Sequence, residues 1–449
     1  MTLALKCNPR YLKALMRRAK VAEAFDDIEL AVRDLTAACM LESFQNAELT
    51  DRADCMLKEL GQRKAKELFR NRKKELPSVM YIEQYLNSFS SYQLVDAVVK
   101  DGEVNTSSSE TDDSSAVEQD PGLQDYQRVI SAIRRRKYDS VLEKCTAAID
   151  KGLTKDLPSA LVIRGTFSLL KMENEDAISD FSQVLSMGDD RVSTKMRIHT
   201  LLKRSGVYQT ENQDSKAKAD FDRALDLDPD DCDIYHYRGQ VHVSANNLPA
   251  AVEDFTRAIA LNNGFVHPHI QLGYAQYKTA VLQQSKELLL VAEMTLENTV
   301  KQFPKCGEAY SVYGQMLLDR QEVKKATEMF EKALELCPGN GTPWVHKGLM
   351  LIQFGEDLNG GTAMIEKALE VDPKCEFAYE TLAAFEIQKG HTERAIELFE
   401  KAMALVRSEA ELAQAYSLCN AAVMQQQLTK ELGIIPAMPW GNPPMFSTM

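Results

Sequence analysis

Residues 307–340 read GEAYSVYGQMLLDRQEVKKATEMFEKALELCPGN, and this stretch decides the fold. Tyr310, Gly314 and Leu317 mark one face of a first helix; Ala326, Phe330 and Ala333 mark one face of a second. Steps of three and four residues are the helical period. Pro338 follows, where a helix cannot easily continue. The small residues stand where two helices must approach closely, and the large ones fill the gap between them. The stretch predicts a helix hairpin, and a single hairpin cannot bury its apolar face alone.

The pattern recurs on both sides. After Pro338 come Trp344, Gly348, Ala368 and Pro373; before Gly307 come Tyr235, Gly239, Ala251, Phe255 and Ala258; earlier still come Leu201, Tyr208, Ala217, Phe221, Ala224 and Pro229. The aromatic of the second helix falls at Phe181, Phe221, Phe255, Phe330 and Phe399, with Leu296 and Ile365 in the two gaps. The steps from Phe221 to Phe255 and from Leu296 to Phe330 match the roughly 34-residue period of tetratricopeptide repeats. An unrelated helical bundle would not repeat small and large residues together at one spacing. The expected fold is all-α, a tetratricopeptide-repeat superhelix (an α-solenoid) in two arrays.

With 449 residues the chain has room for many repeats, each packing only on its neighbours. It contains no run of about 18 apolar residues that would span a bilayer, and its first ten residues, MTLALKCNPR, do not make a secretory signal. Nine cysteines occur without a Cys-x-x-Cys, and Cys306, Cys337 and Cys375 fall near repeat boundaries. Reduced, packed thiols of a cytosol-facing protein are expected. The net charge is −13; residues 1–78 hold 16 Lys/Arg and 12 Asp/Glu, a balance of +4, so the remainder carries −17. An acidic solenoid argues against nucleic acid as a partner and suits cationic peptides.

In chain order, Ala4 precedes Pro9 as Ala224 precedes Pro229, so the first residues read as the end of a second helix. A full repeat follows from Leu12, with Leu15, Ala19, Ala31, Leu35 and Ala38 on the template. Because solenoids begin with a capping element, the start suggests a truncated chain. Residues 46–76 predict a long charged helix ending before Pro77. Its basic stretch KELFRNRKKEL reads as a solvated face, with anionic lipid or another receptor subunit as the sharper alternative. Tyr81, Ile82, Tyr85, Leu86 and Phe89 form a stripe expected to dock on a neighbouring repeat. Residues 1–100 are therefore expected to form one region. Residues 101–120 follow as an acidic, Ser-rich disordered linker with seven acids, seven Ser/Thr and no basic residue.

A second array is expected over 121–433. Its repeat from Val266 carries an insertion, since Gly273 to Ala292 is nineteen residues where Gly239 to Ala251 is twelve. EAELAQAYSLCNAAVMQQQLTKEL reads as a closing helix, and 434–449 as a loose Pro- and Met-rich tail.

No nucleophile elbow, phosphate loop or zinc spacing occurs, so no enzyme and no cofactor are expected. His267-Pro-His269 lacks the further ligands that a metal site needs. Binding surfaces are better supported, because alternate positions of each first helix face one groove. Those positions include His199, Asp233, His236, Tyr237, Gln240, Tyr274, Tyr277, Glu308, Gln315 and Glu380. Leu349 and Ile352 also fall there, where packing between repeats accounts for them. A lining of aromatics, amides and isolated acids can hold a helix or an extended peptide. Lys13 and Arg17, four apart on one helix, can grip a peptide carboxylate together.

Several stretches resemble one family: NPRYLKALMRRAK, AACMLESFQN and LGQRKAKE near the start, and YHYRGQ, VHKGL, KCEFAYETL and EAELAQAYSLCNAA further on. They look like the seventy-kilodalton receptor of the mitochondrial outer-membrane translocase. The resemblance covers nearly the whole chain, non-repeat segments included. It implies an import receptor on the cytosolic face of the outer membrane that works with other translocase subunits. Early repeats would clamp the Glu-Glu-Val-Asp tails of cytosolic heat-shock chaperones. Later repeats would hold precursor proteins with internal targeting signals. By that resemblance Lys13 and Arg17 match third-repeat clamp cations, and Glu308 matches a groove acid. The family's anchor and first two clamp repeats have no counterpart here, which predicts weakened chaperone docking and leaves a cytosolic location open. The rival reading is a soluble co-chaperone or scaffold adaptor, with a regulatory subunit fused to catalysis more distant.

Overall fold

A computed structural model describes residues 2–90 and 120–434. Among the described residues there are 22 α-helices, one short 3-10 turn and no strand. The residues expected to form the linker and the tail lie outside this description, apart from Asp120 and Ile434. Asp120 already belongs to the folded array: its carboxylate accepts from the backbone of Thr154 and Lys155.

The helices pair as hairpins because each turn holds one residue in the left-handed region. These are Asp26, Arg136, Met172, Asn212, Asn246, Gln284, Gln321, Glu356 and Gly390. Within a hairpin the small and large residues meet as their spacing predicts. A Cβ on Gly239 would stand 2.6 Å from the Phe255 ring, and one on Gly314 would stand 2.9 Å from Phe330. Gly165 faces Phe181, Gly273 faces Leu296 and Gly348 faces Ile365 in the same manner. The aromatic plugs Phe181, Phe255, Phe330 and Phe399 are all buried.

One residue before each small/large pair, four hairpins carry an ion pair sixteen residues apart. Arg18 grips Asp34 at 2.6 and 2.7 Å, and Arg164 grips Asp180 at 2.9 and 2.7 Å. Arg204 grips Asp220 at 2.8 and 2.6 Å, and Arg238 grips Asp254 at 2.9 and 2.6 Å. The aspartates are buried and the arginines are partly exposed. Each fork fixes the hairpin's axial register, because both guanidinium N–H groups must find both carboxylate oxygens.

The described residues fall into two compact units, 74–343 and the combination of 1–73 with 344–449. The first unit holds six hairpins, from Leu123–Arg134 with Val141–Asp150 to Gly307–Asp319 with Val323–Leu336. The insertion lengthens both of its helices, Val266–Gln283 and Lys286–Gln302, and not their turn. In the second unit the closing helix Glu409–Leu432 begins with a capping box at Ser408 and Glu411. It packs along Ala47–Asn71, with Gly61 against Ser417 and Ala413. Leu5, Leu15 and Met40 share a core with Leu428 and Leu432, and Arg10 Nε donates to the Leu432 carbonyl at 2.8 Å. The stretch 1–73 is thus built into a unit with the chain's last repeats.

Candidate peptide-binding groove

Within the unit 74–343, four successive first helices carry the predicted lining. They are Thr194–Thr210, Cys232–Ser244, Val266–Gln283 and Gly307–Asp319. His199, Asp233 and His236 are buried; Tyr237, Gln240, Tyr274, Tyr277, Glu308 and Gln315 are half-buried.

The first part of this lining is covered by the chain itself. Helix Val79–Asn87, capped by the Ser78 side chain, lies on it, and Phe89 and Ser90 extend the contact. Phe89 stacks on Tyr237 with centroids 4.4 Å apart and meets His199 edge-on at 4.2 Å. The Ser90 N–H donates to both oxygens of Asp233, at 2.8 and 3.0 Å. Asn262 donates to Ser90 Oγ at 2.6 Å, and Ser88 Oγ lies 2.8 Å from the Tyr237 hydroxyl. Arg136 pairs with Glu83 at 2.7 Å on the other flank.

Beneath the segment sits Lys203, 1% exposed, with its ammonium 4.3 Å from the centroids of both Tyr85 and Phe89. Its Nζ has no hydrogen-bonding partner. Burial pushes the Lys203 amine well below the usual range, and burial with the Lys203 charge does the same to His199. His236 is pushed down to about 3 by burial, then by the nearby His267. The Tyr237 hydroxyl goes well up, again mainly through burial. Phe89 belongs to the stripe that the sequence predicts will dock on a repeat; Lys203, Ser90 and Asn262 carry no such signal. Lys203 was findable by another, since it stands four residues after His199 on the same helix face.

The second part of the lining is different. Tyr274, Tyr277 and Gln315 border one small pocket with Leu296, Val312 and Met316. The Tyr277 hydroxyl donates to Asp319 at 2.6 Å, and burial raises the Asp319 carboxyl. Glu308 lies 3.7 Å from His267 Nδ1. The residue His269 of the same tripeptide is held 3.2 Å from the Asn263 carbonyl, so the two imidazoles have separate partners. Asp231, Cys232 and Asp233 bring three potential ligand atoms within 4.8 Å of one another. Their carboxylates are engaged, Asp231 capping its helix through the Asp233 N–H and Asp233 holding Ser90.

The remaining predicted residues belong to the other unit. Lys13 and Arg17 stand exposed, one turn apart, on Leu12–Ala24. Leu349 is buried and Ile352 packs against the same core, in keeping with an inter-repeat role. Glu380 shares a neighbourhood with Glu376, Glu411, Arg72 and Arg407. Burial, then the like charges Glu411 and Glu380, lifts Glu376 to about 8; burial, then Glu411, lifts Glu380 to about 7.

Antiparallel helix pairs, stacked so that successive first helices share a lining of aromatic, amide and carboxylate side chains, define the tetratricopeptide-repeat class of α-solenoids. The tetratricopeptide repeat family model matches residues 213–264 and 289–341. The chain belongs to the TOM70 family of mitochondrial import receptor subunits. It is 37% identical to human mitochondrial import receptor subunit TOM70 over 435 residues, 97% of this chain and 71% of the human one. It is 24% identical to the Saccharomyces cerevisiae subunit, over 96% of this chain and 72% of that one. The crystal structure of yeast Tom70 superimposes with a TM-score of 0.60 at 23% identity, covering 96% of this chain and 86% of that one, a likeness of fold. Among the described residues no helix is long and apolar enough to cross a membrane.

Proposed function

We propose that this chain is a non-enzymatic import receptor at the mitochondrial surface, and that it holds precursor proteins with internal targeting signals in its tetratricopeptide groove. The observation that carries the reading is the open lining of Val266–Gln283 and Gly307–Asp319. There Tyr274, Tyr277 and Gln315 surround a small apolar pocket, with the Glu308 carboxylate on the same pair of helices. Aromatic faces bind the apolar side of an amphipathic segment, and an acid selects a cationic one. Asp233, His236, Tyr237 and Gln240 stand on the preceding helix, where Ser90 holds Asp233 and Ser88 holds Tyr237. Lys13 and Arg17 would contribute to gripping the acidic tails of cytosolic chaperones that deliver precursors, alongside other translocase subunits. Family membership over nearly the whole chain favours this reading over a soluble co-chaperone or scaffold adaptor.

Calorimetry with a cationic amphipathic segment taken from within such a precursor tests it. Glu308→Arg should weaken binding about five- to thirtyfold, on the order of 1–2 kcal/mol, by like-charge repulsion in a half-buried site. Unchanged affinity with intact circular dichroism removes Glu308 from the site. A peptide ending in Glu-Glu-Val-Asp, titrated against the chain and against Lys13→Ala/Arg17→Ala, tests the clamp. Equal affinity for the two removes that pair.

A further inference from the structure

The segment 78–90 occupies the groove as a bound peptide would. It is a short amphipathic helix carrying Tyr85, followed two residues past its end by Phe89, and these two aromatics meet one lysine amine and the rings of Tyr237 and His199. It then ends on a backbone N–H held by a carboxylate. Ile82 and Leu86 pack into the core of the preceding hairpins and Phe89 meets Ile198, Leu202 and Phe221, but polar groups lie beneath Tyr85, Phe89 and Ser90. Lys203 is buried there without a carboxylate, and an ammonium buried without an anion is costly. His199 and Asp233 are 2% and 1% exposed in the same place, with Phe89 over the one and Ser90 over the other. Polar and titratable groups in a row suit a surface that is wet in another state of the molecule. The nine-residue helix is also too short to persist in water without its groove.

We propose that residues 78–90 are a displaceable built-in ligand, and that the floor formed by His199, Lys203, Asp233 and Tyr237 is a second peptide site. Its ligand is a short helix with an aromatic in its last turn, a second aromatic four residues on, just past the helix end, and a free backbone N–H directly after that. The segment and an incoming helix of this chemistry exclude each other. The proposal rests on the peptide-binding reading of the array, but not on Glu308: the pocket at Tyr274 and Tyr277 is lined by the next helices. Binding there and binding at Lys203 are separate events, and a precursor that needs both must first expel the segment.

The probe is a dye-labelled synthetic peptide of residues 78–90, SVMYIEQYLNSFS, titrated against the full chain by fluorescence anisotropy. Tyr85→Ala/Phe89→Ala weakens the resident copy and should tighten binding of the labelled peptide at least tenfold relative to the unsubstituted chain. Adding Asp233→Asn to that variant should reverse most of the gain, because the Ser90 N–H loses a charged acceptor. A folded double variant that binds no tighter than the parent overturns the proposal. Hydrogen exchange on the unsubstituted chain decides it without any substitution. Amides of 79–90 should exchange at least a hundredfold faster than those of Leu157–Leu170, and equal rates make the segment ordinary core and sink the idea. Glu308→Arg separates the two readings: it should leave the labelled-peptide affinity of the double variant unchanged, whatever it does to cationic peptides.

Discussion

The four Arg–Asp forks invite a replacement that the chain has already made once. In the hairpin Glu376–Gln388 with Thr392–Leu405, the positions equivalent to Arg238 and Asp254 are Leu382 and Leu398, 1% and 6% exposed. The following small/large pair is Ala383 and Phe399, as Gly239 and Phe255 follow the fork. Arg238→Leu alone leaves the Asp254 carboxylate, 6% exposed, with only the His242 ring at 3.6 Å. Stranding a buried charge costs about 3–5 kcal/mol. Asp254→Leu alone is milder. The guanidinium is about one-third exposed and keeps the Tyr235 ring at 5.3 Å, so it rehydrates in part and the loss is about 1–3 kcal/mol. The double change Arg238→Leu/Asp254→Leu removes both desolvation costs and supplies apolar contact, so it should fall within about 1 kcal/mol of the parent. Urea denaturation of the four proteins, followed by circular dichroism, gives a coupling energy of about 3 kcal/mol or more. Additive single costs, with the double variant the least stable of the four, would refute this account of the fork.

Two predictions concern pH. His236 is held near 3 in the fold by burial and by His267, against about 6.5 unfolded, so its contribution is complete above pH 6.5 and is lost as the pH falls. His236→Phe should flatten the fall in stability between pH 6 and pH 4 by about 1.4 kcal/mol per pH unit, read from urea midpoints; parallel curves for the two proteins would remove that burial effect. Glu376 behaves oppositely. Burial and the Glu411 and Glu380 charges outweigh Arg72 and Arg407, so the fold keeps its proton to about pH 8 while the unfolded chain releases it above about 4.5. Its cost is absent at low pH and grows as the pH rises. Glu376→Gln should therefore stabilise by about 1–3 kcal/mol at pH 8 and by nearly nothing at pH 4.5, and a gain equal at both would contradict it.

The repeat architecture was legible in the sequence because its determinants are local. Gly314 and Phe330 must occur together wherever two helices cross closely, whatever lies elsewhere in the chain. The same holds for Gly239 with Phe255 and for the insertion after Gly273, which the structure absorbs in longer helices. The sixteen-residue Arg–Asp spacing is equally local, since both partners of each fork lie in one hairpin. The stripe at Tyr81, Ile82, Tyr85, Leu86 and Phe89 was also visible as amphipathic and as needing a partner. What only tertiary structure decided was that partner's identity. Phe89 and His199 are 110 residues apart in the chain, and no periodicity relates them; their edge-on contact depends on where the stacked helices leave room for a ring. The same reasoning applies to Ser90 with Asp233, to the burial of Lys203, and to Gly61 against Ser417. A repeating pattern encodes which faces must be covered. Which distant segment covers a given face is set by shape and charge that exist only once the repeats have stacked.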